Sequence, residues 1–392
     1  MSEIYLDCHA TTPLDPRVFE QMQPWMVGTP ANAHAQQHGF GQRAEDALAV
    51  ARSQVARLIG ARAYEVVFTS GATEANNLAL LGLCSDRPKV LVSAIEHPSV
   101  TSCAQALEQA GKQVEEIPVY RDDVVDLEAL KAKVDDTTAL VSVMLANHEV
   151  GTIQPIRQIA DVVRPTGARL HTDATQAAGK LPLDVNALDV DLLSFSAHKL
   201  YGPMGIGALF VRADPSIVLR PRVLGGSQEF GLRAGTTPTF LAVGFGAACK
   251  VALDEIEQDI RHCSNLRDEL LHRLEDGVED INVNGTMTSR LPGNLNITIE
   301  RVHAEALMND IPHIALSSGA ACASGSPTPS PVLAAMGLDA QRIDWSIRIG
   351  IGRFTRFEEI VSAADAIANS VKGIRQAHSD SSENHRRTSA ER

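Results

Sequence analysis

Between Phe40 and Leu58 the apolar residues Phe40, Ala44, Leu48, Ala51, Val55 and Leu58 recur three and four apart. That spacing lines one side of a helix and predicts an amphipathic helix over this stretch. Short apolar runs, many of them β-branched, occupy 65–69, 89–94, 139–146, 169–172, 191–196 and 206–211. Runs of this length without polar alternation read as strands covered on both faces. Helical patterns separate many of them. Such alternation predicts an α/β layer architecture with a largely parallel sheet wound through right-handed crossovers.

From about Ala247 the pattern changes to a long helical stretch with Ile256, Ile260, Cys263, Arg267, Leu270 and Leu274 on one face. The boundaries expected are a large domain over 15–250, a small α+β domain made of 1–14 and 251–375, and a polar tail over 376–392. The small domain takes the strands 294–299 and 347–351. It closes with a helix opened by Thr355 and Glu358 at capping-box spacing, buried through Ile360, Val361, Ala364, Ile367 and Val371. After His378 the chain offers no apolar side chain larger than alanine. Such a segment cannot repay the entropy of ordering and is expected to be disordered.

A length of 392 residues fits two domains, and 44% hydrophobic with 21% charged residues is ordinary globular usage. The formal net charge of −13 repels a phosphate backbone, and no basic stripe offsets it, so nucleic acid is excluded as a partner. Glu3 and Asp7 stand where a secretory leader would be basic and then apolar, and no apolar run approaches bilayer length. The expectation is a cytoplasmic protein with no membrane partner. Six cysteines without a C-x-x-C pair fit a reducing compartment better than a disulfide framework.

Polar residues gather after the carboxyl ends of the strands, where open α/β sheets bind ligands. Ser70-Gly71-Ala72-Thr73 opens a helix whose first N–H groups and Thr73 hydroxyl suit a phosphate, although an ordinary helix cap uses the same residues. Strand 89–94 runs into Glu96-His97-Pro98, where His97 reads as a structural hydrogen-bonding residue or as a platform for a ring. Strand 169–172 runs into Asp173-Ala174-Thr175-Gln176. His171 and Asp173 share a strand face, but no third ligand joins them at a suitable spacing, which counts against a metal site. Strand 191–196 ends in Ser196-Ala197-His198-Lys199. A lysine there is costly unless neutral, paired or covalently modified, so it reads either as a snorkelling side chain or as a Schiff-base lysine. Gly202, Gly205 and Gly207 let the chain turn close to a ligand. Jointly, these four groups are what pyridoxal phosphate requires: an anion site, a ring platform, a partner for the pyridine nitrogen and an imine-forming amine.

With these motifs the sequence resembles the cysteine desulfurases, housekeeping and nitrogen-fixation branch, of the class V aminotransferase group. The matching segments are LDCHATTP from Leu6, the stretch 34–41, SGATEANN, EHPSV, NHEVGTIQPI, HTDATQ, SFSAHKLYGP, RAGTTP, SSGAACASGSPTPSPVL and SIRIGIGRFT from Ser346. The resemblance implies a fold-type I transferase dependent on pyridoxal 5'-phosphate, with a mainly parallel sheet in its large domain; the residue spacing already counts against a metal. Lys199 would hold the cofactor and take the substrate Cα proton, His97 would stack on the ring and Asp173 would pair with the ring N–H. Gln176 would bond the phenolic oxygen, with His148 close by. Thr73, Ser196 and His198 would bind phosphate, joined by Thr236 of the neighbouring subunit, which implies a homodimer with shared sites. Arg348 would clamp the carboxylate of L-cysteine. Cys322, in a stretch of small residues ending at Pro327, Pro329 and Pro331, would take the sulfur as a persulfide. L-Alanine would leave, and the sulfur would pass to an acceptor protein, an iron–sulfur scaffold being one such partner. Two departures stand out: the family's Asn-Asn-Glu is Asn147-His148-Glu149 here, and the carboxyl terminus lacks the apolar tail with which relatives engage the scaffold. A selenocysteine lyase or related lyase of the same fold, and a non-catalytic sulfur-relay subunit, are the alternatives.

Overall fold

The computed structural model describes residues 3–30, 32–318 and 329–390, with side chains up to Ala377. It divides into two compact units, Thr11–His148 with Thr152–Gln258, and Met1–Ala10 with Glu149–Gly151 and Asp259–Arg392.

The larger unit is built on a seven-stranded sheet in the order Val66–Thr69, Gly207–Val211, Leu192–Ser196, Arg169–Asp173, Thr138–Ser142, Lys89–Ser93, Gln113–Ile117. Every neighbouring pair is parallel except those of Gly207–Val211, which runs antiparallel to both its neighbours. The α/β expectation therefore holds, and the apolar runs form the sheet's interior for the reason their composition gave. The strands at Val66, Lys89, Thr138 and Leu192 are buried along their whole length. One strand of this sheet lies outside the expected runs. Gln113–Ile117 lies at the sheet edge with one fully buried residue, Ile117, and its Glu115 and Glu116 hide the strand from a search for apolar runs. Val67, Leu78, Val90, Val92, Leu140, Leu192 and Leu209 form a core between this sheet and the helices Ala72–Gly82 and Pro98–Gln109, each large side chain adding about 1.5–3 kcal/mol by leaving water. Gly207 is where backbones come closest. A Cβ there would stand 2.6 Å from the Phe195 carbonyl oxygen and 2.7 Å from Gly71 Cα.

The smaller unit holds an antiparallel sheet ordered Ser317–Ser318, Ser346–Gly350, Asn294–Ile299, Ile281–Val283, and a parallel pair Ile4–Tyr5 with Ile314–Ala315. Leu295, Ile297, Ile347 and Ile349 pack with Leu266, Leu270 and Leu274 of the helix Thr239–Gly277, and with Ile360, Ala364 and Ile367 of the helix Phe357–Ala390. That last helix starts differently from the Thr355/Glu358 box. Thr355 Oγ1 accepts from the Gly352 N–H at 3.1 Å, and Glu359, not Glu358, accepts from the Arg356 N–H at 2.8 Å. The threonine is engaged by the preceding turn, so the box moves on by one residue. The helix also continues to Ala390 through the segment expected to be disordered. Helical hydrogen bonds are local, and 374–390 has neither glycine nor proline to interrupt them. Among the described residues no helix is long and apolar enough to cross a membrane.

Candidate active site

His97 caps the helix Pro98–Gln109, and Pro98 occupies the first helical turn, where its missing N–H costs nothing. Its Nδ1 accepts from the Ser99 N–H at 3.1 Å and meets the Ser99 hydroxyl at 2.8 Å. Asn76, fully buried on the helix Ala72–Gly82, donates from Nδ2 to Ser99 Oγ at 2.9 Å and to Asp173 Oδ2 at 2.7 Å. Because Ser99 Oγ accepts from Asn76, its own proton points to His97. Nδ1 is then an acceptor, and this network assigns the imidazole proton to Nε2. Burial pushes the His97 pKa down, Asp173 opposes the shift, and the Lys199 charge adds to it. The ring is neutral. Asp173 uses its second oxygen as well, Oδ1 accepting from the Thr175 N–H at 2.9 Å. His148, buried, stands edge-on to His97 with ring centroids 5.4 Å apart and planes at 75°.

Lys199 ends the short turn Ala197–Lys199 directly after the strand Leu192–Ser196. Thr12 pins that turn, its hydroxyl donating to the His198 carbonyl at 3.0 Å and accepting from the Tyr201 N–H at 2.7 Å, while Tyr201 takes a φ of 64°. His198 Nδ1 meets Thr11 Oγ1 at 3.1 Å, and burial, then the charges of Lys199 and Lys180, push its pKa down to about 4. Gln176 Oε1 accepts from Lys180 Nζ at 2.9 Å. The helix bearing Thr73 starts at Gly71 without a side-chain cap, and Ser196 Oγ lies 3.9 Å from where a Gly71 Cβ would stand. Thr73, Asn77, His97, Ser99 and Cys103 line a cavity of about 390 Å³. Thr236 is exposed, and its loop is anchored next door. Glu229 is buried and takes two hydrogen bonds from Arg52 at 2.6 and 2.9 Å, one from the Phe68 N–H and one from Thr237.

In the smaller unit Arg348 is buried on the strand Ser346–Gly350, where Nη2 donates to Asp7 Oδ1 at 2.9 Å and to Ser317 Oγ at 3.1 Å. Glu149, also buried, accepts from the Ser330 hydroxyl at 2.6 Å, and burial pushes it up to about 7 against the pull of Arg348. Cys322 lies outside the described residues.

A family model described as aminotransferase class-V matches residues 4–362. The chain belongs to that family. Among curated relatives it is 43% identical to the cysteine desulfurase IscS of Rickettsia bellii (strain OSU 85-389) over 376 residues, 95% of this chain and 92% of that one. A solved structure of a NifS-like protein superposes with a TM-score of 0.88 at 32% identity, covering 94% of this chain and 99% of the other. Another, of SspA in complex with cysteine, gives 0.79 at 33%, covering 90% and 100%. These likenesses place the chain among the cysteine desulfurases of the class-V aminotransferases, pyridoxal-phosphate enzymes.

The residues fit that cofactor. Asp173 presents a carboxylate whose two donors orient it, His97 presents a neutral aromatic ring, Lys199 presents an amine, and an uncapped helix start stands beside Ser196. Three polar residues that the structure brings to this array carry no task in the sequence reading: Asn76, Ser99 and Glu96, which precedes His97 and accepts from the Met144 N–H at 2.7 Å. All three lay inside quoted motifs, SGATEANN and EHPSV. A polar residue within a helix pattern or before a cap gives no sign of which distant carboxylate it will meet.

Proposed function

We infer that this chain is a pyridoxal-phosphate-dependent cysteine desulfurase. The observation that supports it best is the hydrogen-bonded array Asp173–Asn76–Ser99–His97 at the strand ends, with the Lys199 charge acting on His97. When bound, pyridoxal phosphate supplies an imine-forming aldehyde and an electron sink. Asp173 would accept from the ring N–H and keep that proton in place. His97 would offer its face to the ring, and being neutral it would add no second cation there. Gly71, Thr73, Ser196 and His198 would hold the phosphate, and Gln176 and His148 the phenolic oxygen.

Arg348 takes the substrate carboxylate on its planar fork, its guanidinium steadied by Asp7 and Ser317. Lys199 removes the Cα proton of bound L-cysteine as general base. The Cys322 thiolate bonds to the substrate sulfur while the substrate's Cβ–S bond breaks. Lys199, now an ammonium, returns a proton to the carbon skeleton, with His97 assisting. The exchange balances: Cys322–SH and L-cysteine give Cys322–S–SH and L-alanine. A homodimer in which Thr236 reaches the neighbour's phosphate, and transfer of the sulfur to an acceptor protein, complete the reading.

The test is alanine and sulfide release from L-cysteine with a dithiol present, for the parent and for Cys322→Ala. Stoichiometric release that the variant abolishes is the expected result. Full activity in the variant would remove Cys322 from the mechanism. Selenocysteine in the same assay separates a desulfurase from a lyase specific for that substrate.

A further inference from the structure

Glu96 has no task in the mechanism above, yet it immediately precedes His97 and is 3% exposed. Two donors converge on its Oε1, the Ser93 hydroxyl at 2.6 Å and the Met144 N–H at 2.7 Å. Oε2 is equally buried and has no hydrogen-bond partner among the described residues. That asymmetry matches a carboxylic acid, in which the carbonyl oxygen accepts and the other oxygen carries the proton. A carboxylate would place part of its charge on an unsolvated Oε2, which costs far more than one unpaired hydroxyl. Asp173 is arranged the opposite way, with one donor on each oxygen.

The charged and titratable groups around Glu96 agree. Asp173 is the charged group whose field reaches it, and it disfavours a second anion. His97 follows it in the chain and is neutral. His148 stands edge-on to His97. His171, two residues before Asp173, is fully buried between the Ser142 and Ser194 hydroxyls and is pushed down to about 4 by burial. Lys199 acts on His97. Burial, with Asp173 adding to it, pushes Glu96 up to about 8. Raised in this way, Glu96 keeps its proton near neutral pH.

We propose that Glu96 is a positioning residue held as an uncharged carboxylic acid, so that of this carboxyl pair Asp173 alone is charged, and that ionisation of Glu96 sets an alkaline limit to the reaction. The charge assignment rests on geometry. Its effect on rate rests on the function inferred above.

Glu96→Gln keeps the carbonyl acceptor for Ser93 and Met144 but cannot ionise. In the holoenzyme the parent's kcat should fall as pH rises through about 8, and Glu96→Gln should lose that fall whatever its rate at neutral pH. An unchanged alkaline limb would overturn the proposal. A second readout needs no activity. Glu96 keeps a proton in the folded chain that the unfolded chain releases above about 4.3. The Tm of the parent minus that of Glu96→Gln should therefore fall as pH rises from about 4.3 to about 8, and a difference independent of pH over that window would overturn the assignment. If the variant does not fold, infrared spectra of Glu149→Gln, which removes the other carboxyl raised by burial, decide: the carbonyl stretch of a protonated carboxyl, lost as pH passes about 8, is expected, and its absence at neutral pH refutes the assignment. Desulfuration without a protonated carboxyl sinks this proposal alone. A protonated carboxyl in a chain that releases no alanine leaves the charge assignment standing and removes the function inferred above.

Discussion

Asn76→Ala removes the donor that ties Asp173 to Ser99 without replacing any residue assigned to the cofactor. The bond to Asp173 Oδ2 is 2.7 Å long, fully buried and made to a charged acceptor, a class worth about 1.5–3 kcal/mol. If that whole amount is lost from the transition state, at 1.36 kcal/mol per tenfold, kcat/KM falls by about 10- to 160-fold. Loss of the 2.9 Å bond to Ser99 adds about 1 kcal/mol at most, because the Ser99 N–H still donates to His97. The assay is initial-rate alanine release from L-cysteine at saturating cofactor, with the visible absorption of the bound cofactor recorded alongside. Asn77→Ala is the control, since the Asn77 amide donates to the Thr73 carbonyl of its own helix. Combined with Asp173→Asn, the Asn76 substitution should cost little further, because groups acting as one unit are not additive. A fall below about threefold in Asn76→Ala, or an equal fall in Asn77→Ala, would refute the reasoning, since charge-assisted bonds of this kind are not that weak.

Three further outcomes are expected. His171 and His198 fold as neutral imidazoles pushed down to about 4, whereas unfolded histidine takes up protons below about 6.5. With folded values depressed, the unfolded chain binds more protons in between, so their contribution is complete above about 6.5 and is lost as pH falls toward 4. The Tm should drop over that window, with a shallower slope in His198→Gln; Glu96 tilts the other way, and each parent-minus-variant difference isolates its own group. Arg348→Lys loses the planar fork, and kcat/KM for L-cysteine should fall by about 10- to 160-fold with most of the change in KM. Glu229→Gln leaves the part-buried Arg52, whose side chain is 14% exposed, against a neutral partner and should cost up to about 3 kcal/mol in denaturant unfolding; replacing both residues by apolar ones of similar volume should recover most of it.

The strands buried on both faces were legible because nothing but tertiary burial explains runs such as Leu192–Ser196. The edge strand Gln113–Ile117 was not, because one side of an edge is wet and its glutamates read as loop. The start of the last helix was misplaced by one position, since whether Thr355 caps forward or binds back to Gly352 depends on a turn that spacing does not encode. At the site, His97, Asp173 and Lys199 announce themselves as polar residues at strand ends. Asn76, Ser99 and Glu96 do not, because their roles appear only when segments far apart in sequence close on one another: Asn76 reaches Asp173, and Glu96 takes the Met144 N–H.

The antiparallel strand Gly207–Val211 bears on the order in which the site is assembled during folding. Ser196 pairs with Gly207, and the Ala197 N–H donates to the Ile206 carbonyl, so the turn holding Lys199 is closed on one side by its immediate neighbours in the chain, before Thr12 adds its bonds from far away in sequence. The Asn76–Asp173 bond closes across 97 residues. Closing a longer loop costs more entropy, and distant contacts slow folding. The amine is thus set by a local hairpin, whereas the carboxylate waits for the strand Arg169–Asp173 to find the helix Ala72–Gly82. On refolding from denaturant, the hairpin that carries the amine is therefore expected to form before the contact that fixes the carboxylate directing what a captured aldehyde does.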